Sequence, residues 1–242
     1  MDIKKILAVG TAIVGTVAMA DVVSSSVVGY VTTEKAAGDT WTFIGASFED
    51  VGAGAFIPLS SLSCPDGFED GDQIQKSYVN NDGIVGFNVY EYWDGDGWVD
   101  PSSGNVIGDD IGFSVGEAAW FISSTAKQIT TAGAVKATNH IHTFSEPWSI
   151  NSSAFPTDFC PNSANVSWGS IDGDQIQVPY VDESGIVNFN VYEYWDGDGW
   201  VDPSSGDVLA ADFAVTTVGK GFWFITAAPE SVSFAEVSPL AD

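Results

Sequence analysis

Arginine is absent from this chain, and positive charge of any kind is scarce. The 242 residues contain 7 Lys and Arg, all of them Lys, against 33 Asp and Glu, which gives a formal net charge of -26. Such a charge repels phosphate groups, and a chain without guanidinium groups lacks the bidentate donors that favour phosphate and base recognition. The composition therefore excludes nucleic-acid binding and electrostatic docking to anionic lipids.

Long apolar runs are missing except near the N-terminus. There, Lys4 and Lys5 precede an apolar run of about thirteen residues, which ends in the small-residue triplet Ala18-Met19-Ala20. A run of this length is too short to span a bilayer, for which about 20 residues are needed. The pattern predicts a signal peptide over residues 1–20, cleaved after Ala20, with an uncleaved anchor as the alternative. We expect a secreted protein, extracellular or at the cell surface, without a transmembrane span.

Histidine and cysteine are also scarce, with two residues of each. His140 and His142 are two apart and would share one strand face, but no third metal ligand is evident beside them. Cys64 and Cys160 each precede a proline. In an exported protein this pair favours one disulfide between the two halves of the chain, and two buried thiols are the alternative. No nucleophile elbow, phosphate loop or dinucleotide fingerprint is present, so we expect no enzyme activity.

The chain is rich in internal repetition. The eighteen residues 87–104 recur without a change as residues 189–206, and Asp-Gly-Asp-Gln-Ile-Gln occurs at 70–75 and again at 172–177. Both matches have the same offset, so the chain carries a duplicated module of ordinary domain size, with repeats of about 102–104 residues. The predicted organisation is a signal peptide at 1–20, a first β-repeat with an N-terminal arm at 21–132, and a second β-repeat with a C-terminal strand at 133–242.

Within each repeat, β-branched and aromatic residues cluster in short runs that Gly, Asp, Asn, Ser and Pro interrupt. This pattern is typical of β-strands, and no uninterrupted helical face follows the signal peptide. It predicts an all-β protein in which each repeat forms a small antiparallel β-barrel or sandwich. The two repeats either fold separately or share one sheet. The predicted strands of repeat one are Val27–Thr33, Trp41–Ala46, Gln73–Tyr78, Phe87–Trp93, Trp98–Asp100, Ala119–Ser123 and Gln128–Val135, with counterparts in repeat two.

An aspartate-rich loop lies inside the identical segment. Its carboxylates alternate with glycines as in part of a calcium loop, although a bidentate Glu at the twelfth position is lacking and further oxygen ligands would be needed. The alternative is a plain β-hairpin whose Asp-Gly pairs form the turn. The candidate Ca²⁺ ligands, with a backbone carbonyl at each tryptophan, are Asp94, Asp96, Trp98 and Asp100, and in the second repeat Asp196, Asp198, Trp200 and Asp202.

The same segment is unusually aromatic. Exposed aromatic rings are typical of sugar-binding platforms, whereas small β-modules also use such rings to fill a limited core. Strand alternation separates the two tyrosines from the tryptophan, so some ring must face outward unless both faces are covered. The candidate ligand-binding residues are Tyr90, Tyr92 and Trp93, and in the second repeat Tyr192, Tyr194 and Trp195.

Several short motifs together resemble a known group. They are Val-Val-Gly-Tyr-Val at 27–31, Gly-Asp-Gln-Ile-Gln at 71–75, Asp-Gly-x-Gly-Trp at 94–98 and Val-Gly-x-x-x-Trp-Phe at 115–121. The combination resembles secreted, β-rich tandem-repeat proteins of environmental bacteria. The resemblance spans most of the chain after residue 20 and implies export and a duplicated β-module. That group has no assigned activity, so the resemblance implies no functional residues.

These observations predict a non-enzymatic extracellular structural, surface or matrix protein. We expect its partners to be copies of itself or other surface proteins. The β-prone segment Asp21–Val31 precedes the first repeat as an arm that could add to the sheet of a neighbouring molecule, while pairing within its own chain, near residues 231–237, is the alternative. The second hypothesis is a calcium-dependent carbohydrate-binding protein with glycans as partners.

Overall fold

The computed structural model describes residues 27–36, 41–52, 56–144, 146–182, 184, 186–229 and 232–241. The predicted signal peptide and residues 21–26 of the arm lie outside these ranges. The described chain is built from strands, with one turn of 3-10 helix at Leu59–Ser61. It contains no helix long and apolar enough to cross a membrane. The strands are β1 (Val28–Lys35), β2 (Trp41–Gly45), β3 (Ile57–Pro58), β4 (Gln73–Val79), β5 (Val85–Trp93), β6 (Gly97–Asp100), β7 (Asn105–Val106), β8 (Gly112–Phe113), β9 (Ala118–Ile122), β10 (Lys127–Ala134), β11 (His140–Thr143), β12 (Trp148–Ser152), β13 (Val166–Trp168), β14 (Gln175–Val181), β15 (Val187–Trp195), β16 (Gly199–Asp202), β17 (Asp207–Val208), β18 (Gly221–Ile225) and β19 (Ser233–Glu236).

Each repeat forms its own six-stranded antiparallel sheet. The strand orders, β2-β9-β4-β5-β6-β7 and β12-β18-β14-β15-β16-β17, match strand for strand. The all-β prediction is confirmed, and the two repeats do not share one sheet. Within the described ranges the first and last strands of each sheet do not pair, so both sheets are open and the barrel predicted as one alternative is wrong. The sequence missed the two-residue strands β3, β7 and β8 of repeat one, and β13 and β17 of repeat two, which are too short to show an alternating pattern.

Glycine fixes the hairpin between β5 and β6. Trp93 pairs with Gly97 across the turn, and both Gly95 (φ 90°) and Gly97 (φ 85°) have left-handed backbone conformations. An L-residue with a side chain adopts these angles only at a cost, so the Asp-Gly-Asp-Gly sequence favours this turn. The hairpin predicted as one alternative for the aspartate loop is therefore the observed structure, and its copy in repeat two has the same pairing.

The inner face of each sheet covers a hydrophobic core of its own. In repeat one this core includes Ile74, Trp98 and Phe121, and in repeat two it includes the corresponding Ile176 and Trp200. Alternate residues of a strand face opposite sides. The inward-facing residues of the identical segment are the same in both repeats, and the two cores therefore contain the same side chains at these positions.

The outer faces of the two sheets meet at a central junction. Phe43 and Ala118 from repeat one pack with Ile150 and Trp223 from repeat two in a third buried cluster. The junction includes β2 and β9 on one side and β12 and β18 on the other. The start of β5 also takes part, because Val85 packs on this cluster and the Phe87 ring lies 6.3 Å from that of Trp223. The outer face farther along β4 and β5, around Gln73 and Glu91, is partly exposed.

Reciprocal backbone hydrogen bonds connect the repeats. The amide of Gly45 donates to the carbonyl of Gly219 at 2.8 Å, and the amide of Ser152 donates to the carbonyl of Gly116 at 2.9 Å. The two bonds join corresponding positions of the two repeats, so the junction is approximately two-fold symmetric. A duplicated module can form such a junction because the same surface then serves on both sides.

The N-terminal strand completes the first repeat. All eight residues of β1 pair antiparallel with β10, from Val28 opposite Ala134 to Lys35 opposite Lys127. Residues Val28–Val31 of the predicted arm therefore pair within the chain, as one of the two alternatives expected, but their partner is β10 rather than the segment near residues 231–237.

The junction provides a test of this packing. A Cβ at Gly45 would overlap Ser152, which is fully buried and cannot move aside. We expect Gly45→Ala to lower the free energy of unfolding by about 1–3 kcal/mol, as overpacking does in other cores. Thermal and denaturant unfolding measure the change. Gly108→Ala is the matched control, because that exposed glycine faces only the carboxylate of Asp110; equal stability of the two variants would contradict the described junction.

Candidate functional site

The predicted calcium ligands lie at the two ends of β6. Asp94 and Asp96 are in the β5–β6 turn, whereas Asp100 ends β6 and begins the next turn. Three residues of β6 lie between Asp96 and Asp100, and the strand from Gly97 to Asp100 is about 10 Å long. Oxygen ligands of one Ca²⁺ lie 2.3–2.6 Å from the ion. The structure therefore does not bring these three carboxylates together.

The remaining groups of the predicted set have other partners. The Trp98 carbonyl accepts the amide of Ile107 at 2.7 Å, and the Trp200 carbonyl accepts the amide of Leu209 at 2.9 Å. Both indole side chains are buried. Over the described part of the chain, no group of three or more His, Cys, Asp and Glu is placed to hold a metal ion. Calcium binding thus stays a prediction, without the ligand set that the sequence suggested.

Asp100 is an acceptor within its turn. Its carboxylate accepts the backbone amide of Ser102 at 2.8 Å and the hydroxyls of Ser102 and Ser103 at 2.6 and 2.9 Å. These hydrogen bonds, first of all that of the Ser102 hydroxyl, lower the pKa of Asp100. Asp202 accepts the amide and hydroxyl of Ser204 in the same way. Asp100 and Asp202 therefore stabilise the turns in which they lie. Asp196 and Asp198, the counterparts of Asp94 and Asp96, lie in the β15–β16 turn.

The predicted aromatic platform is divided between two faces. Tyr90 and Tyr92 face inward and pack on the first core, and Tyr192 and Tyr194 pack on the second. Burial raises the pKa of Tyr90 and of Tyr192. These four side chains therefore cover the edges of the cores and remain partly exposed.

Trp93 and Trp195 lie on the opposite, outer faces of their sheets. Neither ring belongs to the cores formed by the described residues, and each is half-buried. All six aromatic side chains are half-buried, and the two tryptophans are the members of the predicted set on the outer faces.

A row of polar side chains leads to Trp93 across the outer face of the first sheet. Gln75 Nε2 donates to Gln73 Oε1 at 3.0 Å, and Gln73 Nε2 donates to Glu91 Oε2 at 3.0 Å. The indole Nε1 of Trp93 donates to the other carboxylate oxygen, Glu91 Oε1, at 2.8 Å. We call these four residues the outer row. Each member fixes the orientation of the next, and Glu91 lies where two donors converge.

Repeat two carries the same outer row. Gln177 donates to Gln175 at 2.9 Å, Gln175 donates to Glu193 at 3.5 Å, and Trp195 Nε1 donates to Glu193 at 2.9 Å. No Lys or His of the described chain forms an ion pair with Glu91 or Glu193. The molecule thus presents one half-exposed carboxylate, two amides and one indole in the same arrangement at two places.

Sequence reasoning missed the glutamines and glutamates of the outer rows, although a signal was present. Gln73 and Gln75 are two apart, as are Glu91 and Trp93, so each pair shares one strand face. All four are identical in the two repeats. What the sequence lacks is the register that places Gln73 opposite Glu91.

Two clefts lie beside the junction, one on each side of the approximate symmetry axis. The larger, of about 440 Å³, is lined by residues of β4, β11 and β12 and contains His140, His142 and Glu117. The other, of about 390 Å³, lies between β2 and β14 and has Lys220 in the position of Glu117. The clefts correspond in position and differ in chemistry.

A buried carboxylate fixes the position of His142 in the cleft that contains both histidines, which we call the histidine cleft. Glu236 is 5% exposed and accepts His142 Nε2 at 2.7 Å, the Ser153 hydroxyl at 2.7 Å and the Ala154 amide at 2.8 Å. His142 is also stacked on Phe234, with 3.9 Å between ring centroids. Because Ser153 donates to the carboxylate and not to the histidine, this is not the arrangement that activates a serine nucleophile.

The two cysteines are free thiols in the structure, one in each repeat. Cys64 Sγ donates to the Gly67 carbonyl at 3.3 Å. Burial is the main cause of a raised pKa at both thiols, which lowers the fraction of reactive thiolate. The bridge between Cys64 and Cys160 stays a prediction.

His140 provides a pH test of the histidine cleft. Burial, with the nearby His142 and Lys136, lowers its pKa from 6.5 to about 4. Between these values the unfolded chain binds a proton that the folded chain does not, so this residue makes stability fall as the pH drops from 6.5 towards 4. We expect the free energy of unfolding of His140→Gln to fall less than that of the wild type as the pH drops from 6.5 to 4. Denaturant titrations at several pH values measure this difference.

The matched control for the pH test is Ile141→Gln, on the same strand, because Ile141 is 61% exposed and does not titrate. It should retain the acid sensitivity of the wild type. An unchanged pH dependence in His140→Gln would contradict the assigned burial of this imidazole.

Comparisons with known proteins supply no family assignment. No protein-family model, no curated protein and no solved structure matches this chain. Function is therefore argued from the geometry of the described residues.

Proposed function

We propose that this chain is a non-enzymatic, extracellular surface or matrix protein that associates with copies of itself through strand β1. The main support for this proposal is the unpaired edge of that strand. In the described part of the chain β1 pairs with β10 on one side only. An unpaired strand edge is a template for pairing with another chain.

The residues of β1 do little to block such pairing. Its first six residues, Val28–Thr33, contain no charged residue and no proline, the devices by which natural edge strands avoid association. The charged residues Glu34 and Lys35 lie at its C-terminal end, where Lys220 Nζ donates to the Glu34 carbonyl. Its outward side chains are apolar in part: Val28 is 63% exposed and Tyr30 is 75% exposed. Together they offer a second copy both backbone hydrogen-bonding groups and an apolar surface.

Net charge would control this association. Two copies with a formal charge of -26 each repel one another, and salt screens that repulsion beyond about 10 Å at moderate ionic strength. We therefore expect association to increase with ionic strength. Pairing of two β1 edges would close a two-fold dimer, whereas pairing of β1 with a different edge would continue into a filament.

The absence of enzyme activity is part of the same proposal. The residues most suited to chemistry in the described chain are engaged in structural contacts, since His142 and Ser153 both bind the buried Glu236. The identical segment also lies at two separate places, whereas an active site usually draws unlike residues into one cleft.

The test introduces charge at the open edge. We expect Val28→Glu combined with Tyr30→Glu to keep the protein monomeric at high salt, where the wild type associates, because like charges would face each other across the new pair. Sedimentation velocity and light scattering over a salt series measure the change, on protein that begins at Asp21.

The matched control for the edge variant is Val106→Glu combined with Val208→Glu. These exposed valines lie on the two-residue edge strands β7 and β17, which offer too little backbone for stable pairing. The control should associate like the wild type. A wild type that stays monomeric throughout, or equal loss of association in both variants, would overturn the proposal.

Carbohydrate binding is the second candidate, favoured by the outer rows that end at Trp93 and Trp195. The calcium dependence predicted from the sequence is not part of this candidate, because β6 separates Asp94 and Asp96 from Asp100. Tyr90 and Tyr92 are likewise not part of it, because both pack on the core.

A further inference from the structure

We propose that the two outer rows are equivalent binding sites for a neutral polysaccharide. Each site consists of a Gln pair, a glutamate and a tryptophan: Gln75, Gln73, Glu91 and Trp93 in repeat one, and Gln177, Gln175, Glu193 and Trp195 in repeat two. This inference rests on the second candidate function, for which it names the ligand class and the site residues, and it does not depend on self-association.

The tryptophan supplies the apolar part of the site. A sugar ring has one face of C–H groups, which packs against a flat aromatic ring as other apolar surfaces do. The hydrogen bond from Trp93 Nε1 to Glu91 fixes the indole before a ligand arrives. Fixed side chains lose little conformational entropy on binding, which favours affinity.

The polar residues match the hydroxyl groups of a sugar. Each Glu91 oxygen accepts one hydrogen bond from within the row and retains a lone pair for a second. Each Gln side chain uses one of its two N–H groups within the row and can donate with the other. Hydroxyls both donate and accept, so a polyol can pair with the carboxylate and the amides at once.

Charge selects the kind of polymer. Glu91 and Glu193 have no cationic partner among the described residues, and the chain as a whole is strongly acidic. A polymer with carboxylates or sulfates would be repelled, whereas hydroxyl donors stabilise an unpaired carboxylate. The surface therefore fits an uncharged glycan.

The shape of the row favours a chain rather than a single sugar. From the level of Gln75, which pairs with Val89, to Trp93 the row extends along four residues of β5, about 13 Å. It lies on a sheet surface, so several sugar units of one chain can contact it in succession. Two such rows on one molecule would raise the avidity for a polymer with repeated units.

The experiment uses affinity gel electrophoresis in gels that contain a soluble neutral β-glucan, a xylan, a mannan or the anionic polymer alginate. We expect retardation by at least one neutral polymer and none by alginate. The double variants Trp93→Ala with Trp195→Ala, and Glu91→Gln with Glu193→Gln, should weaken binding at least about tenfold, which corresponds to the loss of one good stacking or charged contact per site. Circular dichroism and melting curves check that the variants fold.

Stoichiometry tests the equivalence of the rows. An oligosaccharide of the retarding polymer should bind two per chain in calorimetry, and one per chain in either Trp93→Ala or Trp195→Ala alone.

The matched control changes two exposed aromatics on the opposite faces of the same strands, Tyr78→Ala with Tyr180→Ala. It should bind like the wild type. Failure of the wild type to bind any neutral polymer, preference for alginate, or loss of binding only in the tyrosine control would each overturn the inference.

Discussion

The close approach of two chain segments at the junction between the repeats is the constraint on which the rest of the molecule depends. The carbonyl of Gly219 accepts the amide of Gly45 at 2.8 Å and the hydroxyl of Thr33 at 3.0 Å. A side chain at Gly219 would overlap both Thr33 and Val31. One glycine thus connects strand β1, sheet one and repeat two, and a bulkier residue at this point would separate all three.

The junction also decides which surfaces remain available. It buries Phe43 and Trp223, each of which contributes roughly 1.5–3 kcal/mol by its removal from water. Besides the β2–β9 and β12–β18 ends of the sheets, Val85 and Phe87 of β5 take part. The outer rows lie farther along β4 and β5 and are partly exposed, so the contacts that join the repeats do not use the residues of the proposed glycan sites.

Some parts of the duplicated module have stayed identical in the two repeats, and others have diverged. The outer rows and their hairpins are identical in the two repeats, whereas the clefts beside the junction have diverged. Glu117 forms an ion pair with Lys76 at 3.0 Å in one cleft, while Lys220 donates to Thr42 at 2.5 Å in the other. Identical surfaces suit the repeated units of a polymer. The junction requires complementary packing and tolerates different residues on its two sides.

The sequence by itself determined the all-β class, the duplication and most strands longer than two residues, because alternation and glycine-rich turns are local signals. It also predicted the Asp-Gly hairpin as one of two alternatives. Only the tertiary structure decided that Tyr92 packs inside and Trp93 lies outside, and that β6 separates Asp96 from Asp100. The sequence likewise did not predict the contact of His142 with Glu236, 94 residues apart, or the pairing of β1 with β10. Contacts of this kind depend on strand register and on packing between distant segments, which no local pattern specifies.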